Sequence, residues 1–194
     1  MKHELSRDDI LPMSAYADMR KAHRRALAER KRDRRLAIGP DATLYFENYD
    51  TMWAQVHEML YIERGGEAQI DDELRAYNPL IPKGDELVAT LMIEIDDPAR
   101  RDRVLAGLGG VECMVSIAFA GESVRATPES DVARSTDDGR ASSVQFLHFR
   151  FTPPQIATFR TPGTRVVVSI EHANYGHMAV MPETVRRALA EDFD

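Results

Sequence analysis

Five acidic and imidazole side chains in this sequence could act as metal ligands or proton carriers. Four fall at the ends of predicted strands and one on a predicted helix: Glu47, Glu94, His148 and His172 on strands, and Glu58 on the helix. Carboxylate oxygens and imidazole nitrogens together are ligands that suit Fe, Mn or Zn. They also serve as general acids and bases. If the strand ends meet, the five residues predict a metal site or a proton-transfer site.

A structural interpretation of the same five residues stays open. A carboxylate inside an apolar strand is costly to bury unless it has a partner. Buried polar groups normally have one, supplied by another side chain or by the backbone. Each of the five residues could therefore end its strand at the solvent boundary, or bind an arginine or a backbone group. The two interpretations differ in whether the side chains converge.

A proline-rich connector adds two candidate binding residues. Residues 77–82 read YNPLIP, and Pro79 and Pro82 restrict the backbone to an extended turn. Asn78 can cap the preceding helix or hydrogen-bond within the turn. Alternatively, Tyr77 and Asn78 line the mouth of a pocket and bind a cofactor.

No motif in the sequence specifies a reaction. His57 and Glu58 begin like the zinc-binding HExxH pattern, but Tyr61 stands where the second histidine would be. Phosphate-binding loops and GxSxG elbows are absent. Cys113 is the single cysteine, so one chain can form neither an intrachain disulfide nor a cysteine-bound iron–sulfur cluster. Its phase with Val111 and Val115 predicts a buried structural thiol.

The positioning elements follow from hydrophobic periodicity and from glycine and proline positions. Strands are predicted at residues 42–48, 86–95, 111–119, 142–151 and 165–172, with helices before and between them. This order predicts an α+β fold: a mixed, largely antiparallel sheet of about five strands covered by helices, with an N-terminal basic helix. The 194 residues suit a single domain, 1–194. Residues 1–39 form its N-terminal helical segment, and 40–194 form an α+β body with a long polar loop at 120–141.

Charge is distributed unevenly along the chain. The net charge is −7, yet residues 19–36 hold nine Lys or Arg against Glu29 and Asp33, a local charge of +7. This basic segment is either a solvated helix face or a surface that docks on an acidic partner. The acidic remainder argues against nucleic-acid binding. There is no membrane-spanning run and no signal peptide, and a single cysteine agrees with a cytoplasmic protein.

Several segments together resemble an uncharacterised bacterial family, the domain-of-unknown-function family numbered 3501. They are LAIGPDATLYFENYDTMWAQVHEML, YNPLIPKGDELVATLMIEI, STDDGRASSVQFLHF and EHANY. The STED-like loop of the family is represented here by residues 135–138, Ser-Thr-Asp-Asp. Members are similar in size, and their genes often lie beside those of rubrerythrin and of a cysteine-rich iron–sulfur oxidoreductase. The resemblance implies a redox or peroxide-stress setting and these two proteins as partners.

Two functional hypotheses result. The first is a cytoplasmic accessory protein that binds a metal ion or small ligand and works with a di-iron peroxidase and an iron–sulfur oxidoreductase. The second is a non-enzymatic interaction module whose basic helix docks on an acidic partner, or which pairs with a second copy of itself. Charge reversals at Arg24, Arg25, Arg34 and Arg35 are predicted to separate the two.

Overall fold

The structure of the chain, a computed structural model, describes residues 2–129, 135 and 139–194. Within these residues the helices are α1 (Met13–Lys31), α2 (Tyr49–Glu63), α3 (Glu67–Tyr77), α4 (Pro98–Leu105), α5 (Pro153–Arg160) and α6 (Glu183–Ala190). The strands are β1 (Arg35–Ile38), β2 (Ala42–Glu47), β3 (Glu86–Ile93), β4 (Val115–Phe119), β5 (Glu122–Arg125), β6 (Thr127–Pro128), β7 (Val144–Arg150), β8 (Val166–His172) and β9 (Tyr175–Val180). The predicted α+β class is confirmed.

The strands form two sheets rather than one. The first has the order β1-β2-β3-β7-β6, the second has the order β5-β4-β8-β9, and every neighbouring pair is antiparallel. Each of the five predicted strands contains an observed one, but β1, β5, β6 and β9 were not anticipated. The predicted loop at 120–141 was wrong in its first part, because β5 and β6 lie there. Residues 130–134 and 136–138 of that loop are outside the described residues.

The main core fills the space between the two sheets. Alternate residues of β3, such as Leu87 and Leu91, belong to one buried cluster with Ile117 of β4 and Val168 of β8. Strand alternation explains this pattern, because successive side chains point to opposite faces of a sheet. The interior face of the first sheet therefore meets the interior face of the second.

The other face of the first sheet is covered by helices. Val88 of β3 packs in a second cluster with Val56 of α2 and Leu74 of α3. Helix α2 begins one residue after Asn48, whose side chain accepts a hydrogen bond of 3.0 Å from the Thr51 backbone nitrogen. Asn48 fixes the direction in which α2 leaves β2 and crosses the sheet.

Helix α1 is much more exposed than the other long helix, α2. Tyr16 is its one buried residue, although the helix has 19 residues. Among the described residues, no helix is both long and apolar enough to cross a membrane. Helix α1 is followed by a 3-10 turn, Arg32–Arg34, which leads into β1.

Candidate functional site

The five predicted ligands do not meet in the described part of the chain. Glu47 and His148 lie on the helix-covered face of the first sheet, on either side of Val88 in the pairing register. Glu94 follows the opposite end of β3, His172 ends β8 in the second sheet, and Glu58 lies on α2. No group of three or more His, Cys, Asp or Glu side chains has an arrangement that could hold a metal ion within the described ranges. The donor set therefore does not fit a shared Fe, Mn or Zn centre there.

Three of the five residues have local partners at strand ends. The buried Glu47 carboxylate accepts a hydrogen bond of 2.7 Å from the Thr90 hydroxyl. Glu94 accepts one of 2.9 Å from the Tyr45 hydroxyl at an exposed position. His172 accepts a hydrogen bond of 3.1 Å from the backbone nitrogen of Asn174, in the turn that follows it. These contacts match the structural interpretation, in which each polar side chain is satisfied close to its own strand.

His148 is the centre of a charged cluster that the sequence did not reveal. Its Nδ1 atom lies 3.0 Å from Glu86 and its Nε2 atom lies 2.9 Å from Glu129. Both partners are carboxylates, so both ring nitrogens donate and the imidazole is positively charged. Burial lowers the pKa of His148, but hydrogen bonding and attraction from Glu86 and then Glu129 outweigh it, and the net shift is upward. The cluster joins β3, β7 and the residue that follows β6.

Glu86 and Glu129 were missed for different reasons. Glu86 opens β3 two residues before Val88, so strand periodicity alone places it on the same face as Val88. Glu129 falls inside the predicted loop, where no periodic signal marks it. A pairing between β6 and β7 was needed to bring it to His148, because Thr127 is the register partner of His148.

Asn78 and Tyr77, the predicted binding residues of the connector, both make hydrogen bonds to other parts of the fold. The Asn78 side chain accepts a hydrogen bond of 2.7 Å from the Leu5 backbone nitrogen and donates one of 2.9 Å to the Leu5 backbone oxygen. This is the pattern that a neighbouring strand would make. The Tyr77 hydroxyl accepts a bond of 3.3 Å from Gln55. Asn78 therefore fixes the N-terminal segment to the end of α3, which agrees with the structural alternative for this connector.

The His57 ring has the same kind of role. Its Nε2 atom accepts a hydrogen bond of 3.0 Å from the Leu11 backbone nitrogen, and Nδ1 lies 2.7 Å from the Trp53 carbonyl, to which it must donate. Burial lowers the pKa of His57, so the ring is neutral with its proton on Nδ1. The near match to HExxH is thus a buried anchor for the residues that precede α1.

Glu58 anchors α1 itself. Arg20 donates to both of its oxygens at 2.8 and 2.7 Å, and the Tyr16 hydroxyl donates at 2.7 Å. The Arg20 guanidinium also lies 4.7 Å from the centre of the Tyr61 ring. Hydrogen bonding from Arg20 lowers the pKa of Glu58 against the effect of burial. Paired and hydrogen-bonded in this way, Glu58 has little capacity left for a metal ion.

A groove runs along the rest of the contact between α1 and α2. Five of its residues come from α1, namely Tyr16, Arg24, Leu27, Ala28 and Lys31, and its exposed or half-buried α2 residues are Gln55, Glu58, Met59 and Ile62. Its volume is about 360 Å³. Ile62 is 63% exposed, which is unusual for a large apolar side chain. We call this surface the α1–α2 groove.

The basic side chains of the N-terminal segment fall into two groups. Arg20, Arg30 and Arg32 pair with Glu58, Asp50 and Glu29. Within the described part of the chain, Arg24 and Lys31 of the groove make no ion pair, nor do Lys21 and Arg25 on α1. A concave surface with basic and apolar side chains can bind an acidic and apolar segment, and its carboxylate, Glu58, is already held by Arg20 and Tyr16.

Two further sequence predictions need correction. Cys113 is exposed in a 3-10 turn, Val111–Cys113, rather than buried in a strand, because β4 begins only at Val115. Arg34 is buried, so it is not available for docking. It donates to the backbone oxygens of Phe46 and Glu47, both at 3.1 Å, and pairs with Asp192.

Comparisons with known proteins identify a family but no activity. No curated protein matches the chain. A crystal structure of a novel protein of unknown function from Burkholderia pseudomallei K96243 is similar, with 34% sequence identity and a TM-score of 0.91, over 98% of this chain and 99% of that chain. The family described as "Protein of unknown function (DUF3501)" matches residues 4–193. The chain therefore belongs to the DUF3501 family.

Proposed function

We propose that this protein is a non-enzymatic interaction module whose α1–α2 groove binds an acidic, amphipathic segment of a partner protein. The observation that carries the proposal is that two cations without an ion pair in the described chain lie beside partly exposed apolar side chains in one concave surface. Arg24 and Lys31 supply the charge, and Ile62 and Met59 supply the apolar contact.

The apolar side of the groove supplies the driving force. Burying a large aliphatic side chain completely stabilises a complex by about 1.5–3 kcal/mol. Ile62 is 63% exposed in the free chain, so most of that gain remains available on binding. An amphipathic helix laid along the groove would place its apolar residues at intervals of three and four against Ile62 and Met59.

The basic side of the groove supplies selectivity. Arg24 and Lys31 are seven residues apart, which is about two helical turns or roughly 10 Å along one face of α1. Carboxylates on a partner helix can match that spacing. A short acidic segment would contact the basic helix without lying along the acidic body of the chain. A long polyanion would not avoid that body, which favours a protein partner over nucleic acid.

The family resemblance suggests which partners to test first. A rubrerythrin-like protein and a cysteine-rich iron–sulfur oxidoreductase are the candidates it implies, and both would place the module in a redox or peroxide-stress setting. In this proposal the di-iron and iron–sulfur chemistry belongs to the partners. The alternative accessory role, with an Fe, Mn or Zn ion bound by this chain, draws less support because the five donor residues have separate partners.

Paired charge reversals test the groove. The variant Arg24→Glu/Lys31→Glu is compared with Lys21→Glu/Arg25→Glu, an equal charge change on the face of α1 that carries Ala22 and Ala26. Binding to each purified candidate partner, and to a synthetic acidic amphipathic peptide, is measured by calorimetry at low and high salt. The groove variant should bind at least about tenfold more weakly, which corresponds to about 1.4 kcal/mol.

A second pair of variants tests the apolar contact. Ile62→Asp should abolish binding, whereas Met114→Asp, at another exposed position, should leave it unchanged. If the groove variant and the control variant lost the same amount of binding affinity, the effect would come from net charge alone. That result would contradict a docking groove. Absence of binding by all three probes at low salt would overturn the proposal.

A further inference from the structure

The free edges of the two sheets are protected unequally. Sheet edges normally carry charges, prolines or very short strands that prevent pairing with another chain. β1 starts with Arg35, β6 has two residues including Pro128, and β5 carries Glu122 and Arg125. β9, Tyr175–Val180, is six residues long and contains no Lys, Arg, Asp, Glu or Pro. It is therefore the one described edge that lacks these protections.

The hydrogen-bonding phase of β9 leaves three residues facing outward. The Met181 nitrogen donates to the Val166 oxygen at 2.9 Å, and His172 pairs with Tyr175 across a two-residue turn. Antiparallel pairs alternate between bonded and non-bonded positions. The backbone groups of Gly176, Met178 and Val180 consequently point away from β8. Within the described residues, none of these backbone groups bonds outside the strand ladder.

The side chains of this edge are apolar and accessible. Met178 is 74% exposed and Val180 is 53% exposed, although both lie in a strand. Tyr175, at the start of the strand, is buried, and its hydroxyl donates a hydrogen bond of 2.8 Å to the Ile38 backbone oxygen. The start of β9 is thus fixed to the turn between β1 and β2, while its outer edge is left open. Ordered backbone groups beside exposed apolar side chains are what strand addition requires.

We propose that β9 pairs with β9 of a second copy of this chain, antiparallel across a two-fold axis at Met178, to form one continuous eight-stranded sheet. In this register each outward-facing residue meets an outward-facing residue. Met178 lies opposite its own equivalent, and Val180 lies opposite Gly176 of the second copy, where the missing side chain leaves room for it. His177 lies opposite Ala179. No like charges face each other along the pair, although each chain carries −7.

The area of the contact sets the expected strength. A single strand pair covers less than the roughly 1,200 Å² typical of a stable interface. The dimer should therefore dissociate in the micromolar to millimolar range, where Kd values correspond to weak, reversible association. This inference rests on β9 alone and is independent of the α1–α2 groove.

Single-cysteine crosslinking tests the register. In a Cys113→Ser background, Met178→Cys should form an intermolecular disulfide under mild oxidation, because bonded antiparallel partners have Cα atoms about 5.5 Å apart and disulfides span about 4.4–6.8 Å. The control Val180→Cys should not, because its Cα atom would lie about 14 Å from that of its equivalent. Gly176→Cys/Val180→Cys should crosslink again. Crosslinking through Val180→Cys but not Met178→Cys would overturn the register.

Sedimentation equilibrium tests the association itself. The average mass of the unmodified chain should rise from 21.9 kDa towards twice that value with increasing concentration. Met178→Lys should stay at the monomer mass, while Ile62→Lys, in the α1–α2 groove, should associate like the unmodified chain. A monomer mass for the unmodified chain at millimolar concentration would overturn the proposal. Loss of association in Ile62→Lys would overturn the assignment to β9.

Discussion

Helix α1 and the 3-10 turn that follows it hold their basic side chains in opposite ways. On α1, Arg24 and Lys31 are unpaired within the described chain and border an open groove. At the junction with the sheet, Arg34 and Asp192 are paired with side chains 7% and 1% exposed. Arg24, Lys31 and Arg34 all belong to the basic segment at residues 19–36. Their contributions to stability should follow burial rather than charge, and should decrease from the most buried group outward.

The largest effect is expected at Arg34. Burial raises the pKa of Asp192 and outweighs the opposite effect of Arg34, so this carboxylate is already costly to keep charged. Arg34→Ala would leave it buried without a counterion and leave two backbone oxygens without their donor. We expect the free energy of unfolding at neutral pH to fall by about 3–5 kcal/mol. Urea denaturation measures it.

Two variants decide whether that loss comes from the buried charge. Arg35→Ala, at the next and exposed position, should leave the urea midpoint unchanged. Arg34→Ala/Asp192→Asn should recover part of the stability, because a neutral amide costs less to bury than an unpaired carboxylate. No recovery would show that the backbone contacts of Arg34, not its ion pair, carry the effect.

An intermediate effect is expected at His148, whose side chain is 12% exposed between carboxylates that are 5% and 23% exposed. Its pKa is raised in the folded chain, so folding favours the protonated form. That contribution is complete below the usual histidine pKa of about 6.5 and is lost as pH rises through the higher folded value. His148→Gln should cost about 2 kcal/mol at pH 6 and less under alkaline conditions.

Urea midpoints across the pH range measure this contribution. The unmodified chain should lose stability relative to His148→Gln as pH rises above neutrality. His172→Gln, at the end of β8, is the matched control and should leave the pH profile unchanged. If the difference between the His148 variant and the unmodified chain stayed constant with pH, His148 would not titrate between its two carboxylates.

A smaller effect, with the opposite pH dependence, is expected at Glu58. Its side chain is 21% exposed, and its pKa is lowered by the Arg20 hydrogen bonds. Because the pKa of Glu58 is lower in the folded chain than in the unfolded chain, its ionised form stabilises the fold at pH values above the unfolded pKa. This contribution to stability is lost as the pH falls through the folded pKa. Acidification below about pH 4 should therefore loosen α1. Trp53, the single tryptophan, has its ring 5.9 Å from that of Tyr16 and reports the change by fluorescence.

The Glu58→Gln variant sharpens this test. It should lose about 1 kcal/mol at neutral pH, since the pair is partly solvated, and its fluorescence should no longer respond to acid in this range. Glu63→Gln, near the end of the same helix, should behave like the unmodified chain. An acid response that survives Glu58→Gln would place the titrating group elsewhere.

The sequence was informative where a pattern within one short segment determines the structure of that segment. The periodicity of β3 places Leu87 and Leu91 in the core, and the paired glycines after α2 mark its end. It was uninformative where two distant segments must meet. Glu129 has no local pattern that points to His148, and Arg34 is one arginine among several until Asp192, more than 150 residues later, is brought beside it.

The same limit explains the predicted metal site. Glu47 and His148 lie on the same face of the first sheet, but the periodicity within each strand could not give the order of the strands. Val88 lies between them, and each found a closer partner, Thr90 or Glu86. The edge strand β9 was missed because Gly176, His177 and Met178 do not alternate in polarity. Only its pairing with β8 makes it a strand.

The smallest effect on stability is expected for the two cations of the α1–α2 groove. A large effect there would contradict the contrast between these cations and the buried Arg34. Arg24→Glu/Lys31→Glu changes the net charge by four, yet neither side chain has an ion pair to lose in the described chain. Surface substitutions of this kind rarely move the unfolding free energy by more than about 0.5 kcal/mol. The urea midpoint should therefore match that of Lys21→Glu/Arg25→Glu at physiological salt. A clearly lower midpoint for the groove variant alone would mean that Arg24 and Lys31 hold α1 on α2, and these cations would then belong to the fold and not to a binding surface.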